Sequence, residues 1–120
     1  MAHILIIEDY PDTRDVAELI LRDAGHTVTS VSDGLKGLHI AARDQPDLIL
    51  MDLALPRLDG WETTRHLKAN PVTRHIPVVA FTARVSKEAV TRAARAGCTA
   101  VIAKPFEIVA FLEQIEAILA

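Results

Sequence analysis

The sequence holds one cysteine, Cys98, which excludes an internal disulfide and fits a reducing compartment. No apolar run approaches the ~20 residues that a membrane-spanning helix needs. The N-terminus has no basic stretch, and its short apolar run stops at Glu8 and Asp9, unlike a secretory signal. Positive charge is not in excess: 13 Lys and Arg against 16 Asp and Glu leave −3, no footprint for nucleic acid. Aromatic residues make up 4%, and no Gly- or Ser/Thr-rich loop follows the first apolar run, which argues against a flavin carrier. The 5 histidines are scattered, without an i, i+4 pair or a Cys/His cluster, so no soft-metal site is offered and they read as structural or solvated. These absences predict a soluble, cytoplasmic protein without nucleic-acid or membrane partners. Cys98, next to Gly97 and ahead of an apolar run, reads as an inert core thiol.

Half of the residues are apolar, and a length of 120 allows one domain spanning 1–120 with a real core. The apolar runs share a pattern. His3-Ile4-Leu5-Ile6-Ile7 ends on Glu8 and Asp9, and the run 47–51 ends on Asp52. The run 76–81 ends on Thr82, and 99–103 ends on Lys104. With an alternating run at 27–31, these predict five strands. Helical spacing lies between them. It predicts a helix at 12–24, carrying Val16, Leu19, Ile20 and Ala24, and one at 34–44 capped by Asp33 and burying Leu35, Leu38 and Ala42. Further helices are predicted at 59–68, at 86–96, and at 106–119, the last burying Ile108, Leu112, Ile115 and Leu119. Five βα units with short connections imply a parallel sheet covered by helices on both faces. The 86–96 helix is rich in alanine, so it should be held to the sheet less firmly than the last one.

In an open parallel sheet the ligand site lies at the carboxyl ends of the strands, so the four terminating residues converge. Gathered carboxylates repel one another and are costly to desolvate unless a cation joins them. Oxygen-only ligation suits a hard ion such as Mg²⁺. Glu8, Asp9 and Asp52 are therefore candidate metal ligands, and Asp52 is the candidate nucleophile for an acyl phosphate. Lys104 supplies a point charge, and Thr82 a hydroxyl donor, for phosphoryl oxygens. The rim is set by the Ala54 carbonyl and the Arg84 side chain.

The residues at these positions resemble the receiver domain of response regulators in two-component and phosphorelay signalling. The resemblance rests on Ile7-Glu8-Asp9, the Leu-Met-Asp-Leu-Ala-Leu-Pro run at 50–56, Asp59-Gly60, Phe81-Thr82-Ala83 and Lys104-Pro105-Phe106. It spans the whole chain, and 75–79 and 96–100 look like the single-domain, DivK-type branch. The resemblance implies an α/β flavodoxin-like (βα)5 fold of strand order 2-1-3-4-5. It implies phosphorylation of Asp52 by a histidine kinase or histidine phosphotransfer protein, with Mg²⁺ at Glu8, Asp9, Asp52 and the Ala54 backbone carbonyl. Thr82 and Lys104 would be switch residues, and Lys104-Pro105 a cis bond. Kinase specificity would sit around 12–24 and 105–108, and a downstream target would bind the 86–119 face. Apart from phosphorylation and dephosphorylation of Asp52 itself, no enzyme activity is implied.

Two departures stand out. Val101 occupies the place, three residues before the lysine, where the family often has Tyr or Phe, so no aromatic ring can swing inward with Thr82. Ala54 is small, leaving water access to a phosphoryl group that Arg84 would shield. Other readings are a receiver cut from a longer regulator or hybrid kinase, or a Mg²⁺-dependent phosphohydrolase. Against the hydrolase, Ala54 stands where a second acid would be needed.

Overall fold

The computed structural model describes residues 2–55, 58–83, 85–104 and 107–120. Strands and helices alternate: β1 (His3–Ile7), α1 (Pro11–Asp23), β2 (Thr27–Val31), α2 (Gly34–Asp44), β3 (Leu48–Asp52), α3 (Gly60–Ala69), β4 (Val78–Thr82), α4 (Lys87–Ala96), β5 (Ala100–Ala103) and α5 (Ile108–Leu119). The strands form one parallel sheet of order β2-β1-β3-β4-β5, the flavodoxin-like arrangement expected. Strand order reverses between β1 and β3, so a crevice opens at their carboxyl ends.

Because strand side chains alternate, each buried strand feeds two cores. Ile4, Ile6, Leu50 and Phe81 pack on one side with Ala17 and Leu21 of α1 and Phe111 and Ile115 of α5. Leu5, Ile7, Ile49 and Met51 pack on the other with Ala41 of α2 and Leu67 of α3. The continuous apolar runs therefore mark strands covered on both faces.

Helix ends follow local chemistry. Pro11 opens α1, where its missing N–H costs nothing. The Asp33, Asp59, Ser86 and Glu107 side chains accept from backbone N–H groups at the starts of α2, α3, α4 and α5. Gly97 ends α4 at φ 108°, a left-handed conformation that glycine takes without penalty. The strand predicted at 76–81 instead runs Val78–Thr82. Ile76 bonds within the preceding turn, and Pro77, lacking an N–H, only accepts from Ile49 at the strand's entry.

The helical faces are a correction. Val16 and Leu19 of α1, Leu35 of α2 and Ile108 of α5 are exposed, while Ala17, Leu21, Gly34, Gly37, Ala41, Phe111 and Ile115 are buried. The inward stripe of α2 is made of small residues, Gly34, Gly37 and Ala41, which permits close approach to the sheet. A Cβ at Gly37 would stand 2.3 Å from Ile7 Cδ1. Leu112 and Leu119 of α5 are partly buried, as is Leu38 of α2. In α4 only Ala93 and Ala96 are buried, and Val90 faces out, so α4 does bury less apolar surface than α5.

Candidate functional site

Glu8 follows β1 and continues its ladder, donating its N–H to the Val31 carbonyl at 3.0 Å. The Glu8 side chain is fully buried. Asp52 ends β3 and is also buried, while Asp9 is exposed. Glu8, Asp9 and Asp52 each present a carboxylate oxygen, and these oxygens lie within 4.8 Å of one another. Lys104, just after β5, closes the group: its Nζ is 2.7 Å from Glu8 Oε1 and 3.3 Å from Asp52 Oδ1. Its backbone N–H donates to the Thr82 carbonyl at 2.9 Å, tying the end of β5 to the end of β4. The ammonium also stands 4.7 Å over the Phe81 ring, which partly compensates its loss of water.

Two acids and one amine do not balance. Burial and the neighbouring Asp52 push the Glu8 carboxyl up to about 7, against the opposing pull of Lys104. A divalent cation at the exposed Asp9 side would supply the missing positive charge. The donor set is oxygen only and fits Mg²⁺ or a similar hard ion.

The loop after β3 completes the site. The Ala54 N–H donates to Asp52 Oδ1 at 3.2 Å, fixing one carboxylate oxygen. Gly60 lies against this turn: a Cβ there would come within 2.3 Å of the Asp52 carbonyl oxygen. Glycine is needed at the start of α3 so that the helix can approach the loop. Thr82, at the end of β4, lines a cavity of about 490 Å³ with Leu53, Ala54, Trp61, Ser86 and Arg92.

Every described residue of the expected set thus falls at one end of the sheet, with Asp52, Glu8 and Lys104 in direct contact. Arg84 and the Lys104-Pro105 bond lie outside the described residues. Val101 is half-buried in β5, paired with Ala80. His26 pairs with Glu116 and His3 with Thr29, so both histidines serve the fold. Cys98 is partly buried against the Thr64 hydroxyl, and burial pushes its thiol up, consistent with an inert thiol. Sequence reasoning did not find Arg14, whose guanidinium donates to the Glu8 carbonyl at 3.2 Å. It also did not find the Arg92 guanidinium stacked 4.4 Å above Trp61. Neither carries a motif; each follows from helix phase.

Residues 4–116 match the response regulator receiver domain family. The polar-differentiation response regulator DivK of Brucella anthropi is 36% identical over 116 residues, covering 97% of this chain and 94% of its own. The receiver domain of the sensor histidine kinase PA1611 of Pseudomonas aeruginosa, solved with a magnesium ion in its active-site cleft, superposes with TM-score 0.91. It is 35% identical, with 98% of this chain and 97% of that one covered. The chemotaxis response regulator CheY4 of Vibrio cholerae superposes with TM-score 0.93 at 25% identity, covering 98% of each chain. A parallel sheet of this order, with acids and a lysine at its carboxyl edge and a family match over nearly its whole length, makes this chain a response regulator receiver domain.

Proposed function

We propose that Asp52 is the phosphoacceptor of this receiver and that residues 1–120 form one receiver unit. The Lys104 ammonium lying between Glu8 and Asp52, beside three clustered carboxylate oxygens, carries this reading. Glu8, Asp9, Asp52 and the Ala54 carbonyl would hold Mg²⁺, which when bound offsets the negative charge of an arriving phosphoryl group. An Asp52 oxygen attacks the phosphorus of a phosphohistidine. The O–P bond forms as the P–N bond breaks, and the imidazole leaves with that electron pair and takes a proton from solvent. Lys104 and the Thr82 hydroxyl take phosphoryl oxygens, Thr82 drawn inward at the end of β4. Since Lys104 N–H is bonded to the Thr82 carbonyl, that movement reaches β5 as well as α4.

A histidine kinase or histidine phosphotransfer protein is the donor. A groove beside Lys104, formed by Thr13, Val16, Ile20, Ala83 and Ile108, suits it. Val16 and Ile108 are 50% and 55% exposed there, and such large apolar groups at a site's rim favour a protein partner. The 86–119 region, on the Thr82 side, is the output surface. No helix among the described residues is long and apolar enough to cross a membrane, which agrees with a cytoplasmic place of action.

Intact-protein mass after incubation with acetyl phosphate and Mg²⁺ tests the reading. One adduct of about 80 Da is expected in wild type, and none with EDTA or in Asp52→Asn. An adduct that persists in Asp52→Asn would place the acceptor elsewhere.

A further inference from the structure

We infer that the cleft between α3 and α4 docks an acidic segment of a protein partner. The inference rests on the output reading above but names a different side of α4 from the one facing β5. Arg65 of α3 and Lys87, Thr91, Arg92 and Arg95 of α4 line this cleft, with Glu88 its single acid. The chain as a whole carries −3, so a wall of four cations runs against its own trend.

Arg65 is paired with Glu62. Among the described residues, Lys87, Arg92 and Arg95 form no ion pair, and all three are exposed. Lys87 is also the first residue of α4, where the positive end of the helix dipole disfavours a cation. A residue that works against its own helix is better explained by something outside the helix.

Geometry selects the class of partner. Lys87, Thr91 and Arg95 repeat every four residues, a polar stripe about 12 Å long over two helical turns. That is too long for one phosphate and matches carboxylates strung along a peptide. The nearby ring, Trp61, already has Arg92 stacked 4.4 Å above it, so that face is not open to a nucleobase. Glu88 and Arg92 also line the cavity holding Ala54 and Thr82, so the cleft borders the proposed switch.

The test titrates the full chain with a synthetic Gln/Ala helix bearing glutamate at every fourth position. Binding is read by calorimetry and by the fluorescence of Trp61, the single tryptophan. Saturable binding is expected, weakened by added salt. It should fall about tenfold or more, over 1.4 kcal/mol, in the exposed double variant Lys87→Glu/Arg95→Glu and for the peptide with every Glu changed to Gln. Equal binding of the Gln peptide, undiminished binding by the double variant, or no binding at all overturns the inference. Tighter binding of a single-stranded oligonucleotide also overturns it and assigns the cleft to nucleic acid. Intact mass after acetyl phosphate is read on the same samples. An Asp52 adduct without peptide binding removes the cleft alone; peptide binding without an adduct removes the phosphoacceptor reading alone.

Discussion

The middle of the sheet and its carboxyl edge are built from the same strands and obey opposite rules. Ile4 to Ile7 and Leu48 to Met51 are fully buried, apolar and packed on both faces. One residue further on, Glu8 and Asp52 are almost as deeply buried and are acids. Folding removes both sets from water, but only the first gains by it. Burying an apolar side chain contributes roughly 1.5–3 kcal/mol, whereas burying a carboxylate is unfavourable until it is paired. Lys104 pairs with both acids, and one ammonium cannot neutralise two. The edge is therefore a place where the fold gives up stability for a function, and the middle supplies the surplus.

The largest effect expected from this contrast lies in the middle. Phe111 of α5 is 1% exposed beneath β1, β3 and β4, and Phe111→Ala should lower unfolding free energy by about 3–5 kcal/mol. Leu19→Ala, at an α1 residue that is 70% exposed, should stay within about 0.5 kcal/mol. Urea titration followed by circular dichroism measures both. If the two variants lose equal stability, the assignment of helix faces is wrong.

The second effect tests the edge through pH. With metal chelated, the Glu8 carboxyl stands at about 7 against an ordinary 4.5. Between those values the folded chain holds a proton that the unfolded chain has lost. Stability from this group is thus greatest at acid pH and falls as pH rises through the window. Glu8→Gln removes the titration. The stability of wild type relative to Glu8→Gln should therefore drop from pH 5 to pH 8, by on the order of 3 kcal/mol. A difference that stays flat would mean that Glu8 is already charged at pH 5, with Lys104 outweighing burial.

Much of this contrast was legible in the sequence. Continuous runs of Ile, Leu and Val gave away the buried strands, because no amphipathic alternation interrupts them. The acids, the hydroxyl and the lysine were legible as a site because parallel strands bring their carboxyl ends together whatever the loops do. Helix faces were less legible. Val16, Leu19 and Leu35 outweigh Ala17, Gly37 and Ala41 on any scale of apolar character, yet in α1 and α2 these small residues face inward and the large ones stay out, while α5 turns Phe111 and Ile115 inward rather than Ile108. Contacts between helices, such as Arg92 on Trp61, depend on helix phase and crossing, which periodicity alone does not fix. The apolar run from Ile76 overstates β4, which begins only at Val78 because Pro77 has no N–H to give to the ladder.

The smallest expected effect joins the two halves of the contrast. If the edge is unstable because two buried acids share one ammonium, then a divalent cation should repair it without touching the middle. Binding to the native state alone adds RT ln(1 + [L]/Kd), about 1.4 kcal/mol when Mg²⁺ is at ten times its dissociation constant. For a domain of 120 residues that is a rise in Tm of roughly 3–6 °C. Asp9→Asn should abolish most of the rise, since Asp9 is the exposed oxygen through which an ion would enter. The same variant should leave the cost of Phe111→Ala unchanged; any coupling would run through Phe81, which packs with Phe111 and lies beneath the Lys104 ammonium. Scanning calorimetry of wild type, Asp9→Asn, Phe111→Ala and the double variant, each with Mg²⁺ and with EDTA, separates the terms. A wild-type Tm indifferent to millimolar Mg²⁺ would remove the ion from the site. A Mg²⁺ response that survives in Asp9→Asn would move its ligands to Glu8 and Asp52 alone. A Mg²⁺ response that changes with Phe111→Ala would show that edge and middle are coupled rather than merely adjacent.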